Sequence, residues 1–174
     1  MHRIDGLIDI FLQPGEFFVA DADYQVRTML GSCVSITLWH PIKRVGAMSH
    51  FLLPTRGASS REDAALDARY GDEALDLMLG ELKKQGIAGQ HCQGKIFGGG
   101  NMFPNQFRSG AMNVGERNGE AALALLRRHN VPILSESLFG IGHRQIVFDV
   151  SNGDVWCHQI TPSTPGREPE GDLL

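Results

Sequence analysis

Two neighbouring strand-like stretches constrain the fold of this 174-residue chain more than any other feature. Residues 34–39 (VSITLW) alternate apolar with small or polar side chains, as a half-buried strand does, and residues 44–53 favour a second strand. Between them lies Pro41, which fixes φ and cannot donate to a strand ladder. The pattern therefore predicts a β-hairpin whose loop is residues 40–43.

The register that we predict for this hairpin pairs Trp39 with Arg44 and, further along the ladder, Cys33 with His50. Directly opposed residues have Cβ atoms about 4.5–5.5 Å apart, within reach of a thiol-to-imidazole hydrogen bond. A slip of one residue would move His50 to the other face. That other face gathers the predicted core side chains of the hairpin, namely Val34, Ile36, Leu38, Val45, Ala47 and Phe51.

Cys33 and His50 each have an ordinary structural interpretation as well. A cysteine beside a strand commonly packs as a small buried hydrophobe, and a histidine in a strand commonly bonds a backbone group. Their opposition across the hairpin favours catalysis, because a thiol nucleophile and an imidazole that takes up its proton are what a cysteine hydrolase needs. The residues alone leave both interpretations open.

Several short motifs occur in a fixed order along the chain: residues 31–34 (GSCV), 46–54 (GAMSHFLLP), 95–100 (KIFGGG) with Met102, 113–118 (NVGERN), 142–144 (GHR) leading into 147–148 (VF), and 153–156 (GDVW). Together they resemble the CheD family of chemoreceptor glutamine deamidases, from about Gly15 to about Ile160. The resemblance implies that Cys33 and His50 convert selected glutamines of methyl-accepting chemotaxis receptors to glutamates through a thioester.

The resemblance also implies further site residues. The family has a catalytic threonine upstream of its cysteine, and Thr28 is the nearest match, with an ordinary strand residue as the alternative. Backbone N–H groups around Ser32 are candidates for an oxyanion hole, since Gly31 permits a tight approach. Gly99 and Gly100 are expected to flank the substrate groove.

The chain departs from the family at three positions and looks slightly expanded from Met102 to Ala111. Ser137 and Phe139 stand where an aspartate and a glycine are usual, and His40 replaces the common aspartate before Pro41. These changes leave the predicted Cys–His pair intact and bear on partner choice, including a CheC-type phosphatase that many relatives bind.

Two other functions stay open on the sequence alone. One is a binding module with weak or no catalysis that regulates a CheC-type phosphatase or a receptor array. The other is a different cysteine hydrolase, such as a receptor methylesterase or a toxin-like deamidase with another protein target.

The remaining pattern predicts an α/β (α+β) layered sandwich with a mixed, largely antiparallel sheet and two main helices, and the resemblance implies a deamidase-toxin-like cysteine hydrolase scaffold. The helices are expected from about Tyr70 to Gly86 and from about Arg117 to His129. Asn152-Gly153 predicts a tight second hairpin that pairs Phe148 with Cys157. Residues 1–160 form one predicted domain, and residues 161–174, rich in proline, glycine and charge, a disordered tail.

Composition excludes several classes of protein. A net charge of −4 gives no electrostatic footprint for nucleic acid or an anionic membrane surface, and no apolar run approaches the ~20 residues of a membrane span. Three cysteines without a CxxC spacing argue against a disulfide framework or a zinc site, and residues 98–101 lack the patterns of a phosphate-binding loop. The sequence therefore predicts a cytoplasmic protein without metal or cofactor.

Overall fold

The computed structural model describes residues 2–57, 64–104, 113–162 and 171–174. Its strands form two sheets. The first, here called the outer sheet, has the order β1 (Arg3–Ile4), β2 (Leu7–Phe11), β4 (Tyr24–Leu30), β9 (His143–Asp149), β10 (Val155–Ile160) and β11 (Asp172–Leu173). The second, the central sheet, has the order β3 (Phe17–Ala20), β6 (Val45–Ser49), β5 (Val34–His40), β7 (Gln93–Gly98) and β8 (Ile133–Leu138). The described residues also form two α-helices, α1 (Gly71–Lys84) and α2 (Val114–Arg128), and a short 3-10 turn at Gly89–His91.

The molecule has three layers, because the central sheet is covered on both faces. One apolar core lies between the two sheets and includes Leu30 and Phe148 of the outer sheet. The other core lies between the central sheet and the helices and includes Ile36, Met78 and Leu126. Burial on both faces explains why all five residues of β6 are buried. The predicted layered sandwich with two main helices is therefore confirmed, with its strands divided between two mixed sheets.

The helices begin and end where local chemistry favours it. Asn113 caps α2, its side-chain oxygen accepting from the N–H of Glu116 at 2.9 Å, so the helix begins three residues before the predicted Arg117. Gly86, with φ of +73°, follows the last turn of α1 and donates to Lys83. Neither of these helices is long and apolar enough to cross a membrane.

The register predicted for the β5–β6 hairpin is wrong by two residues. His40 pairs with Val45 and Trp39 with Gly46, so the loop is 41–44 rather than 40–43. Arg44 adopts φ of +52° as the last loop residue and donates to the carbonyl of His40 at 2.8 Å. Moving a loop by one residue shifts every pair by two, which preserves the faces. The six predicted core residues therefore do lie together, in the core beneath the helices.

The C-terminal part also differs from the predictions. Val155 pairs with Phe148, so Cys157 lies opposite Ile146 rather than Phe148. The turn runs from 149 to 154, and of Asn152 and Gly153 only the glycine has positive φ, whereas a type I′ turn needs both. Within the predicted disordered tail, Asp172–Leu173 form the strand β11, which pairs with β10. The prediction of disorder is therefore wrong for these two residues. Residues 163–170 of that tail, and residues 58–63 before α1, lie outside the described residues.

Candidate active site

The three predicted catalytic residues come together from two sheets. Cys33 immediately precedes β5 and His50 immediately follows β6, both at the same end of the central sheet, whereas Thr28 belongs to β4 of the outer sheet. Val34 and Phe51, the next residues after Cys33 and His50, pack into the core beneath the helices. Because side chains alternate along a strand, Cys33 and His50 both point toward the outer sheet.

Cys33 and His50 are diagonal neighbours and not the directly opposed pair that we predicted. Val34 and Phe51 exchange two backbone hydrogen bonds, of 3.1 and 3.0 Å, and form the bridge next to the site. Each site residue directly precedes one member of that pair, so Leu52 lies opposite Cys33. Diagonal positions on one face are roughly 7–8 Å apart, still within reach of a histidine side chain. The two-residue shift thus keeps both groups on one surface.

Thr28 orients the ring of His50 and sets the tautomer of its neutral form. Its hydroxyl Oγ1 lies 2.7 Å from Nδ1 of His50 and donates to the carbonyl of Leu12, also at 2.7 Å. A hydroxyl has one proton to donate, so with that proton on Leu12 it accepts from an Nδ1–H of the ring. Neutral His50 therefore carries its proton on Nδ1, which leaves Nε2 as the free basic nitrogen.

Burial keeps both members of the pair uncharged near neutral pH. It lowers the pKa of His50 to about 4, against a smaller opposing effect of the nearby Glu16 carboxylate. Burial likewise raises the pKa of the Cys33 thiol above its ordinary value. The site is thus a neutral thiol beside a neutral imidazole, an arrangement suited to proton transfer during attack rather than to a preformed ion pair.

The glycine-rich loop, residues 98–101, supports the segment before Cys33. Gly99 donates its backbone N–H to the carbonyl of Cys33, and Gly100 donates to the carbonyl of Gly31, each at 2.9 Å. Both glycine N–H groups are therefore engaged. By contrast, the N–H groups of Ser32 and Cys33 donate to no acceptor within residues 2–57, 64–104, 113–162 and 171–174. These two N–H groups are therefore free to donate to a bound group.

A cavity of about 160 Å³ opens beside Ser32, between the glycine-rich loop and the start of α2. Its rim carries three exposed apolar side chains, Met102, Phe103 and Val114. Gly115 of α2 packs so tightly here that a Cβ would lie 2.5 Å from the carbonyl oxygens of Gly99 and Gly100. The close approach explains why glycine occupies this helical position.

Two buried side chains that were not among the predicted site residues secure the same region. Asn118 of α2 donates to the carbonyls of Ser32 and Leu52. Arg144 of β9 donates to the carbonyls of Gly98 and Phe139 and to the hydroxyl of Ser137. Both residues fall inside the motifs 113–118 and 142–144, which were the available signal for finding them.

Phe139 has φ of +69°. That backbone conformation favours glycine, and here the phenylalanine ring packs so closely on Gly119 that a Cβ there would lie 2.4 Å from it.

The described residues contain no group of three or more histidine, cysteine or acidic side chains that could hold a metal ion. All three cysteines are free thiols, and Cys157 packs in the core between the sheets.

Comparisons with known proteins agree on one family. A family model described as CheD chemotactic sensory transduction matches residues 52–159. A probable chemoreceptor glutamine deamidase CheD 2 of Albidiferax ferrireducens is 74% identical over 174 residues, all of both chains. Proteins named probable chemoreceptor glutamine deamidase from Pseudomonas savastanoi pv. phaseolicola and Leptospira interrogans are 43% and 37% identical, over 88% and 89% of this chain and 86% and 95% of their own.

Proposed function

This chain belongs to the CheD family, and from that premise we propose that it hydrolyses glutamine side chains of chemoreceptors to glutamate, with Cys33 as the nucleophile. Its relatives are named as chemoreceptor glutamine deamidases. A glutamine carboxamide is a poor electrophile, so its hydrolysis gains from a covalent intermediate that divides one difficult step into two. The groups around Cys33 supply what each step needs.

In the first step the sulfur of Cys33 attacks the side-chain carbonyl carbon of glutamine. Nε2 of His50 takes the thiol proton as the S–C bond forms, and negative charge develops on the carboxamide oxygen. His50 then gives that proton to the departing nitrogen, the C–N bond breaks, and ammonia leaves. The product is a thioester between Cys33 and the substrate side chain.

In the second step water cleaves the thioester. Nε2 of His50 takes a proton from the water as its oxygen attacks the carbonyl carbon, and the C–S bond then breaks. The proton returns to the sulfur of Cys33, and the substrate side chain is released as glutamate. In both steps the N–H groups of Ser32 and Cys33 are the proposed donors to the oxyanion, because they have no acceptor in the described structure.

The observation that carries this proposal is the hydrogen bond between Thr28 and His50. Thr28 is the third catalytic residue of the proposal, acting through the ring it orients, because its bond to Nδ1 leaves Nε2 basic. An imidazole already protonated on both nitrogens could not accept the thiol proton. The pKa of about 4 keeps His50 unprotonated at neutral pH.

The glutamine is proposed to enter beside Ser32, where the cavity lies between Gly100 and the start of α2. Gly100 lines this cavity, and the backbone hydrogen bonds from Gly99 to Cys33 and from Gly100 to Gly31 hold the adjoining segment. The apolar rim suits a substrate that is part of a protein surface rather than a free, zwitterionic amino acid.

We propose a cytoplasmic location, in keeping with three cysteines that all remain free thiols. A CheC-type phosphatase is proposed as a further partner that would compete with the receptor for this surface. Ser137 and Phe139 lie close to the glycine-rich loop and differ from the residues usual in the family. Binding of the phosphatase is therefore the proposed property most sensitive to these differences.

The proposal is tested by incubating the protein with receptor cytoplasmic fragments that carry unmodified glutamines. Ammonia release and site-mapped conversion of glutamine to glutamate are followed by mass spectrometry, with Cys33→Ala as the matched variant. We expect conversion by the wild type only. Deamidation by Cys33→Ala at the wild-type rate would disprove the nucleophile, and binding of the receptor by both proteins without conversion would favour the binding module. Loss of methyl groups from methylated receptors, without glutamine conversion, would favour a methylesterase.

A further inference from the structure

We propose that Asn118 is a positioning residue for Cys33 and His50, because its carboxamide clamps together the two segments that carry them. The inference rests on the proposed function for the meaning of that pair. Asn118 touches neither the sulfur nor the imidazole in the described contacts, and it acts through the backbone.

The side chain of Asn118 bridges the two segments directly. Its Nδ2 donates to the carbonyl of Ser32 at 2.9 Å and to the carbonyl of Leu52 at 2.8 Å. Ser32 immediately precedes Cys33, and Leu52 lies opposite Cys33, two residues after His50. One amide group thus sets the distance between the two segments beside Cys33 and His50.

The clamp acts where the strand ladder itself is weak. Regular pairing between β5 and β6 ends at Thr37–Met48, and the N–H of Ile36 bonds the side-chain oxygen of Ser49 instead of a backbone carbonyl. Beyond that irregularity the two segments are joined by the Val34–Phe51 bridge. The bonds from Asn118 extend this short connection across the site.

The orientation of the carboxamide follows from its partners. Both partners are carbonyl oxygens, which only accept, so the NH₂ end must face them; the reversed amide would set an oxygen against two oxygens. Both N–H bonds of Nδ2 are then used. The other end, Oδ1, is buried and has no partner among the described residues.

Packing alone does not account for an asparagine here. Asn118 is 0% exposed, and burying an amide with one unpaired end costs free energy that an apolar residue would avoid. Apolar residues on the same face of α2, Ala122 and Leu126, already anchor the helix on the central sheet. The carboxamide therefore serves the backbone around Cys33, where displacements of about 1 Å are costly to catalysis.

The test compares two Asn118 variants with a matched variant on the same helix. Asn118→Leu keeps the approximate size and removes the donors, and Asn118→Asp keeps the shape but sets an oxygen toward both carbonyls. Leu126→Ala is the control, since it opens a cavity in the core beneath α2 and leaves the clamp in place. For each protein we measure the melting temperature, kcat and KM on receptor fragments, and the rate of Cys33 alkylation by iodoacetamide across pH.

We expect kcat to fall about 10-fold or more in both Asn118 variants, with KM changed by less than about three-fold. The pH profile of Cys33 alkylation should shift as well, because the spacing of thiol and imidazole changes. Leu126→Ala should lower the melting temperature while kcat and the alkylation profile stay within about two-fold of the wild type. If the Asn118 variants match Leu126→Ala in kcat and alkylation, the inference is overturned.

Asn118→Ser covers the case in which both larger changes prevent folding, since it opens space instead of creating a clash, and the same comparison then applies to it. Cys33→Ala in the same assay separates the two proposals. Activity retained in Cys33→Ala would refute the nucleophile, whereas an inactive Cys33→Ala beside fully active Asn118 variants would refute only the clamp.

Discussion

Oγ1 of Thr28 and Nδ1 of His50 lie 2.7 Å apart and form the hydrogen bond that joins the outer sheet to the central sheet at the active site. The bond is buried, and Thr28 is tied in turn to the carbonyl of Leu12. The proposed base His50 is thereby oriented by a neutral hydroxyl where many hydrolases use a carboxylate. Thr28 supplies no negative charge, so the burial that lowers the pKa of His50 is opposed by the smaller effect of the Glu16 carboxylate.

Replacing Thr28 with valine should reduce catalysis while leaving substrate binding largely unchanged. Valine has nearly the same shape but cannot accept from Nδ1, so the ring loses its orienting partner and its preferred tautomer. We expect kcat to fall about 10-fold, in line with the loss of one buried hydrogen bond. Thr28→Ser, which retains the hydroxyl, should keep most of the activity. Equal kcat for valine and serine variants would remove Thr28 from the mechanism.

The buried His50 should make the protein less stable as the pH falls. Its pKa is about 4 in the folded protein and near 6.5 in the unfolded chain. Below about pH 6.5 the unfolded chain therefore binds a proton that the folded protein does not, and the free energy of unfolding falls by roughly 2 kcal/mol between about pH 7 and about pH 5. Urea denaturation across this range measures the slope.

His50→Gln is the control for that slope, because all other titrating groups remain. The variant should lose stability less steeply with acid than the wild type. Parallel pH dependence of the two proteins would mean that His50 is not held neutral by burial.

Alkylation should distinguish the three thiols. Cys33 is partly exposed, whereas Cys92 and Cys157 are 2% and 4% exposed, and burial raises the pKa of Cys92 to about 11. Iodoacetamide should therefore label Cys33 in the folded protein and the other two only on unfolding. His50→Ala should slow the labelling of Cys33, as followed by peptide mapping. Equal labelling of all three thiols would contradict an accessible nucleophile.

Two helical glycines should respond oppositely to alanine. Gly80 of α1 is exposed, with nothing within 4 Å of an added Cβ, so Gly80→Ala should stabilise the protein by up to about 1 kcal/mol through helix propensity. At Gly115 the added Cβ would meet the carbonyl oxygens of Gly99 and Gly100 at 2.5 Å. We expect Gly115→Ala to destabilise by about 1–3 kcal/mol and to lower activity by displacing the glycine-rich loop.

Thermal denaturation of the two alanine variants, with the deamidation assay, checks this pair. A stable and fully active Gly115→Ala would show that the loop can move without consequence for Cys33.

Several features of the fold could be predicted from the sequence because they depend on neighbouring residues. The period-two pattern of residues 34–39 and 44–53 correctly assigned the core face of the hairpin, and the helix predicted from about Tyr70 to Gly86 corresponds to α1. The motifs also pointed to the CheD family, which the comparisons confirm. The boundary of the β5–β6 loop could not be predicted in the same way, because it depends on a positive φ at Arg44, a backbone conformation that residues other than glycine rarely adopt.

Both predicted hairpin registers were wrong by two residues, but each side chain was still assigned to the correct face of its sheet. An even shift returns each side chain to the same side of the sheet, so Cys33 and His50 remained on one surface although they are not directly opposed. Thr28 was suggested by the resemblance alone, since nothing in the local pattern around β4 indicates its partner.

The sequence by itself determined which residues alternate, which side of each strand is apolar, and which family the motifs resemble, because side-chain alternation is a local property of an extended backbone. Tertiary structure decided that Thr28 of one sheet reaches His50 of another and that Asn118 of a helix bridges Ser32 and Leu52. Those contacts join residues far apart in the chain. They exist only once the layers have packed, so no spacing along the sequence encodes them.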